Sequence, residues 1–579
     1  MGKNFTIFLV LLVIFFSSCK KEGFLAQTAV SNLNEDAIFK DSTYATGFLT
    51  NIYSNIGFSE KANRFSNGGL DVCSDEAEPY DNSNSTTVAF ANGSVDANIV
   101  ASDAYNNCYT SIRAVNKLLQ RLPGIPVTAA TRNSMKGEAI FLRAWYYSIL
   151  LKHYGGVPII KDTVYTFTDV IGAQRNTYSD CVNYISAQCD TASKYLPLIQ
   201  SGVRYGRASK AICMALKMRV LLYAASPLFN DPSPGSDTPL GIASGDVKPL
   251  VGYTNYDANR WVLAQNAAKA VMDLGTFNLF TDTSKTPGRS FQNLFITGNN
   301  NSEYIWQVLN QPNSDLENIY DPPSRDGKGG GFPYQEMVDA FPMANGKVIS
   351  DPTSGYDPNN PYSNRDPRLA YTVNRDQSLL PAKLTFILTP LNIYTVNGKP
   401  VGLDAIYSGT KTGYYCNKML DPKVAPNSLA ATPRSIPLIR YAEVLLSYAE
   451  ASNEAEGPAK AYPVIELIRQ RAGLNPYQLP LGLTKEQMRN VIQNERRLEL
   501  AFEGHRFWDV RRWKLGATQD KFFTGMEVQR TSAGALVAYK RVDVRRHGFK
   551  PALYLWPLPQ SEVAKSPLTK QNPGYIGAN

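Results

Sequence analysis

Along residues 136–154, KGEAIFLRAWYYSILLKHY, the apolar positions return every three or four residues, so that Ala139, Leu142, Tyr146, Ile149, Leu150 and His153 share one helical face. Too few charges remain to cover the other faces, and the pattern predicts a buried helix. Gly155-Gly156 supplies a left-handed C-terminal cap, and Pro158 keeps the helix from resuming. Residues 207–226 repeat the theme with Ala208, Ala211, Ala215, Met218, Leu222 and Ala225, small side chains that let helices approach closely before Pro227 ends the run. Trp261, Ala264, Ala268 and Val271 mark a helix over 257–274, with Gly275 as its C-cap. Later, Leu438, Tyr441 or Ala442, Leu445 and Ala449 predict a helix over 438–454, and Pro463 opens another that closes at Gly473. The last long helix begins with Thr484 and Gln487, the three-residue offset of a capping box, and runs through Met488, Val491, Ile492, Leu498 and Phe502. With 103–121 and 178–196 the predicted helices number eight, most of them readable as adjacent antiparallel pairs. Starts at 103 and 136, and at 178 and 207, approach the repeat of about 34 residues found in tetratricopeptide-like arrays.

Between 276 and 435 the periodicity dissolves into Gly, Pro, Asn and Asp, as in Asp321-Pro322-Pro323 and Asp357-Pro358-Asn359-Asn360-Pro361. The expected fold class is therefore mainly α: a tetratricopeptide-like scaffold of helical pairs carrying a large irregular, loop-rich region with a few short strands. Such insertions on a rigid scaffold are where binding surfaces sit.

The chain is 579 residues long, with 43% hydrophobic and 19% charged residues, a composition that argues for a globular body and against disorder. A formal charge of +9 is a small excess for this length. The densest basic stretch, Arg496 to Lys514, is interleaved with Glu499, Glu503 and Asp509, unlike the basic stripe of a nucleic-acid binder, so no nucleic-acid partner is expected. The run Phe5–Phe16, twelve residues, is shorter than the roughly 20 a membrane-spanning helix needs. Lys3, that run and Phe16-Ser17-Ser18-Cys19 read instead as a signal peptide ending in a cysteine. This arrangement resembles the lipobox of bacterial lipoproteins, in which Cys19 would take the lipid, although Phe16 replaces the usual aliphatic residue. The other six cysteines, Cys73, Cys108, Cys181, Cys189, Cys213 and Cys416, show no Cys-x-x-Cys spacing. On one straight helix Cys181 and Cys189 would be about 12 Å apart along the axis, too far for a disulfide.

Several segments together resemble the SusD/RagB family of surface lipoproteins: Leu142-Arg143-Ala144-Trp145-Tyr146-Tyr147 leading to Tyr154-Gly155-Gly156-Val157-Pro158, Ala215-Leu216-Lys217 to Ala225, Leu438-Ile439-Arg440-Tyr441-Ala442-Glu443 to Glu450-Ala451, Ile468-Arg469-Gln470-Arg471-Ala472-Gly473-Leu474, and Glu495-Arg496-Arg497-Leu498-Glu499-Leu500 to Glu503-Gly504-His505-Arg506. Their order and spacing hold from about residue 24 to the C-terminus. The resemblance implies an outer-membrane, cell-surface lipoprotein that captures oligosaccharides and passes them to a SusC-like TonB-dependent transporter. A branch of similar architecture captures oligopeptides. The corresponding division is a signal peptide over 1–18, a lipidated tether over 19–27, an N-terminal helical half over 28–275, a ligand-binding region over 276–435 and a C-terminal helical part over 436–579.

Enzymatic motifs are missing from the sequence: His153, His505 and His547 are isolated, there is no Gly-x-Ser-x-Gly elbow, and no cofactor is expected. A surface glycoside hydrolase would need two carboxylates about 5–10 Å apart across a groove, and no pair is singled out. Asp326-Gly327-Lys328-Gly329-Gly330-Gly331 lacks the Gly-Lys-Ser/Thr ending of a phosphate loop and reads as a turn. Glu495 and Glu499 continue the apolar column of the last helix, so they are expected to face inward against Arg440, Arg496 or Arg506. Asp71, Asp75, Glu76 and Glu78 offer oxygen atoms for a calcium ion without fixing one. Sugar capture calls for flat apolar faces beside planar polar groups. On that ground the candidate ligand residues are Tyr80 and Phe90, among Asp71, Asp75, Asp81, Asn82 and Asn84, together with Tyr320, Phe332, Tyr334 and Arg325, beside Asn318 and Asp321.

Overall fold

A computed structural model of the chain describes residues 35–80, 86–166, 168–169, 174–233, 237–298, 301–382, 387–428, 434–566 and 568–575. The signal peptide and Cys19 lie outside the described residues, as do Asp81, Asn82 and Asn84. Among the described residues, six helices of twelve or more residues run through the N-terminal half: α1 (Ser42–Tyr53), α2 (Ala101–Arg121), α3 (Ala129–Tyr154), α4 (Tyr178–Ser193), α5 (Lys210–Ala225) and α6 (Asn259–Met272). From α2 onward each helix packs on the next in sequence. The periodic segments predict α2 to α6, with shifted ends, but not α1. α3 starts seven residues earlier, at Ala129, where Thr128 accepts the Thr131 N–H at its N-terminus. It is buried almost throughout from Met135 to Tyr154. Gly155 follows with φ +76°, and a Cβ there would stand 2.6 Å from the Leu250 carbonyl oxygen, so both backbone angle and space demand glycine.

The helical order continues after the insertion with α7 (Tyr441–Glu456), α8 (Tyr462–Ala472), α9 (Lys485–Glu499) and the short α10 (Arg506–Arg512). α7 packs on α6, resuming the array where it stopped. The residues ahead of Tyr441 correct one expectation. Leu438 belongs to no helix; it lies in strand β2 (Ser435–Arg440), which pairs antiparallel with β1 (Tyr304–Leu309). Leu438 and Ile439 fit either period, and only the partner strand, more than a hundred residues earlier, decides between them. The pair β1–β2 brings the entry and exit of the irregular region side by side. Trp306 on β1 anchors that gate to the array: its ring meets Phe141 and Trp145 of α3 edge-on at 5.0 and 4.6 Å, and its Nε1–H donates to the Gly206 carbonyl at 3.0 Å.

The C-terminal strands β3 (Phe522–Arg530) and β4 (Leu536–Arg546) form a hairpin, and β3 pairs in parallel with Tyr394–Val396 of the irregular region. Near the C-terminus Trp556 enters the main core, 5.3 Å from Phe90 and 4.5 Å from His153, and its backbone N–H donates to the His153 carbonyl. Phe39 and Phe90 from the N-terminal part and Trp556 from the C-terminal part thus share one apolar interior. All six described cysteines are buried and free, and Cys181 and Cys189 sit on the single helix α4.

Candidate functional site

The base of the irregular region is an ion-pair network. Glu495 and Glu499 are buried on the inner face of α9, as expected, but their partners come largely from elsewhere. Arg368 donates to Glu495 at 2.6 Å and to Glu499 at 3.1 Å, while holding Asp366 at 2.7 Å. Arg440 binds Glu303 at 2.6 Å, Glu499 at 2.7 Å and Glu503 at 2.7 Å, and Arg471 binds Glu303 and Glu499. Of the three expected partners only Arg440 serves. Arg496 pairs with Asp509, and Arg506 makes a two-pronged pair with Asp75 at 2.7 Å. Burial alone would raise the Glu499 carboxyl, yet Arg471, Arg440 and Arg368 outweigh it and hold the group well below the usual carboxylate range. The network therefore fixes Arg368, and with it the segment above, on the rigid array.

Directly over Arg368 opens a cleft of about 930 Å³. Its walls are short elements: a helical turn Arg368–Thr372, the strand Val373–Asn374 paired with Tyr415–Cys416, the strand pair Leu379–Pro381 and Leu388–Pro390, and the loop 417–428. Asp366 starts the helical turn by accepting the Arg368 N–H at 2.9 Å. Tyr371, half-buried, supplies an aromatic face, and Leu379 and Leu388, 61% and 57% exposed, supply apolar rims. Polar groups alternate with them. Arg375 lies over the ring of Tyr362 at 4.6 Å, and Arg325 bonds to Ser324 Oγ and Thr389. Asn374 is buried, and its Nδ2 has no partner among the described residues. Concave shape, apolar faces and converging donors suit a polyhydroxylated ligand held without covalent chemistry.

Of the six residues proposed from sequence as ligand contacts, only Arg325 lines this cleft. Phe90 is a core residue, 5% exposed and edge-on to Phe507 at 5.2 Å. Phe332 is buried against Tyr415, and Tyr334 is fully buried, its hydroxyl donating to Glu78 at 2.5 Å and lying 2.9 Å from His547. These three rings show no free face, which corrects their assignment as ligand contacts. Tyr80 and Tyr320 line a separate cavity of about 40 Å³, too small for a sugar ring, with Asp71 and Phe502. The error has a physical cause: Asp75 and Glu78, near these rings in sequence, face Arg506 and Arg545 rather than water. Tyr362, Tyr371, Asn374 and Arg375 carry the missed signal, a proline-punctuated stretch dense in Tyr, Asn and Arg.

The acidic stretch 71–78 is likewise spent inside the protein. Asp75 is bound by Arg506, Glu78 by Arg545, and Asp71 accepts the Gly504 N–H at 3.0 Å. Among the described residues no group of three or more His, Cys, Asp or Glu side chains is placed to hold a metal ion. The glycine-rich stretch 326–331 is a turn, as read: a Cβ on Gly327 would stand 2.0 Å from the Asp321 carbonyl oxygen, so glycine serves a close backbone approach there.

Residues 290–575 match the family described as "SusD family", and residues 24–222 match one described as "Starch-binding associating with outer membrane". The chain is 37% identical over 158 residues to SusD-like protein P2 of Formosa agariphila, a match spanning 26% of this chain and 27% of that relative. It is similar along 94% of its length to a SusD-like protein of Bacteroides fragilis, at 25% identity, TM-score 0.74 and 99% coverage of that protein. A solved laminarin-binding SusD-like protein shares the fold at 20% identity and TM-score 0.62, over 93% of this chain and 100% of the other. Two family matches that between them take in both helical parts and the cleft, with a shared fold over nearly the whole length, place the chain in the SusD/RagB family.

Proposed function

We propose that this protein is a cell-surface glycan-binding lipoprotein: it captures an oligosaccharide in the cleft over Arg368 and delivers it to a SusC-like TonB-dependent transporter in the outer membrane, leaving glycosidic bonds intact. The observation that carries the reading is the cleft itself. Its volume of about 930 Å³ falls within the range of small-ligand sites, and it combines the half-buried Tyr371 ring with a crowd of side-chain donors on a base locked by buried ion pairs. The family descriptions and the laminarin-binding neighbour support carbohydrate as the ligand class, and the outer-membrane wording of one of them supports the location. Lipid attachment at Cys19 would supply the anchor, since no helix among the described residues is long and apolar enough to cross a membrane.

Titration calorimetry with oligosaccharide panels tests the reading. Tyr371→Ala is expected to weaken binding about tenfold, the loss of one stacking face. Equal affinity in wild type and variant would remove the cleft as the site. Incorporation of labelled palmitate, lost in Cys19→Ser, tests the anchor.

A further inference from the structure

Four arginines line the cleft, Arg289, Arg325, Arg365 and Arg375, and among the described residues none forms an ion pair. Their hydrogen bonds go to neutral acceptors. Arg289 donates to Gln292 Oε1, Arg325 to Ser324 and Thr389, Arg365 to three backbone carbonyls, and Arg375 to the Asp376 carbonyl. The contrast with the layer beneath is sharp, because Arg368, Arg440 and Arg471 are each shared among two or more carboxylates. Three buried N–H groups of cleft-lining residues, Asn374 Nδ2, Arg325 Nε and Arg365 Nε, also find no acceptor among the described residues. The deficit is one-sided: donors and positive charge are in excess, acceptors and negative charge are short.

Carboxylates on this wall do not close the gap. Asp366 is engaged by Arg368, Asp421 accepts the Lys423 N–H, and Asp326 stands on an exposed turn. Burial pushes the Asp321 carboxyl up to about 7 against the pull of Arg325, so much of it is uncharged at neutral pH. Neutral sugar hydroxyls donate as readily as they accept, whereas a carboxylate or sulfate only accepts and brings the missing charge. The planar Arg375 guanidinium is seated on Tyr362, and its Nε and Nη2, the edge that a two-oxygen anion needs, meet no acceptor among the described residues.

We propose that the cleft selects an acidic oligosaccharide, one bearing uronate carboxylates or sulfate esters, with Arg375 and Arg289 at the anionic group and the buried donors of Asn374 and Arg325 adding positive potential behind them. This rests on the reading of the cleft as a glycan site. The experiment is calorimetry on the intact protein with a galacturonic-acid hexamer and its carboxyl-reduced counterpart, and with a sulfated galactan hexamer and its desulfated counterpart. At least one acidic hexamer is expected to bind tenfold or more tightly than its neutral counterpart, and which one does so separates carboxylate from sulfate. That preference should shrink several-fold between 0.05 and 0.5 M salt, roughly as screening of a partly exposed pair requires. Arg375→Gln and, independently, Arg289→Gln should each bring the acidic-to-neutral ratio towards one. Equal binding of acidic and neutral counterparts, or a ratio unchanged in both variants, overturns the acidic preference while leaving the glycan site standing. Absence of binding to any oligosaccharide, neutral or acidic, overturns both.

Discussion

Glu499 stands where three guanidinium groups converge, and its value depends on all of them being present. Replacing it with Gln keeps the shape and removes the charge that Arg368, Arg440 and Arg471 share. Buried pairs broken from one side cost about 3–5 kcal/mol, because the surviving cations are left without compensation in a dry interior. Glu499→Gln is therefore expected to lose stability on that order in chemical denaturation, and a loss under about 1 kcal/mol would show the network to be dispensable. His153 gives a second, pH-dependent expectation. Burial, with Arg64 and Lys152 close by, pulls its pKa well below the ordinary value; Nδ1 lies 2.7 Å from the Ile149 carbonyl and Nε2 lies 3.2 Å from Arg64 Nη2. The unfolded chain takes up the proton first, below about pH 6.5, so stability from this neutral ring is full above that pH and drains away as pH falls through it. In His153→Gln that drain is absent. The stability gap between wild type and variant should narrow between pH 7 and pH 5, by up to about 1.4 kcal/mol per pH unit; a gap that widens would contradict the neutral assignment.

Helix ends show how far local pattern reaches. The capping box read at Thr484 and Gln487 is present, with Thr484 Oγ1 accepting the Gln487 N–H at 3.2 Å and Gln487 Oε1 accepting the Thr484 N–H at 2.9 Å. Thr484→Ala should cost about 1 kcal/mol and speed amide exchange in the first turn of α9, whereas unchanged exchange there would deny the cap its role. Caps and apolar stripes are legible because their partners lie within four residues. Leu438 to Arg440, the second half of β2, reads as helix because its partner β1 is remote, and Trp306, which fastens that pair to α3, carries no local signature at all. Removing the ring in Trp306→Ala is expected to cost about 3–5 kcal/mol and to loosen the gate of the irregular region. The α1 helix was missed for a different reason: only Ala45, Leu49 and Ile52 on it are buried, and its start rests on Asp41, whose side chain accepts the Thr43 and Tyr44 N–H groups.

The assembled molecule is a helical array interrupted once, with the interruption folded back so that its two ends touch and its floor is bolted to β2, α8 and α9 by buried charge. That arrangement was legible as a mainly helical scaffold with a loop-rich insertion, because periodicity fails abruptly at 276 and returns after 435. The cleft was not legible residue by residue. Aromatic residues near acids in sequence suggested a ligand face, yet burial decides whether a ring is free, and Phe90, Phe332 and Tyr334 were taken up by the core. Hydrogen-exchange mass spectrometry on the intact protein, with and without the tightest-binding oligosaccharide from the calorimetric panels, locates the site directly. Slower exchange confined mainly to 362–382 and 417–428 is the predicted result. Protection centred instead on Tyr80 and Tyr320, on the N-terminal helices, or nowhere in the chain would contradict a glycan-binding cleft over Arg368.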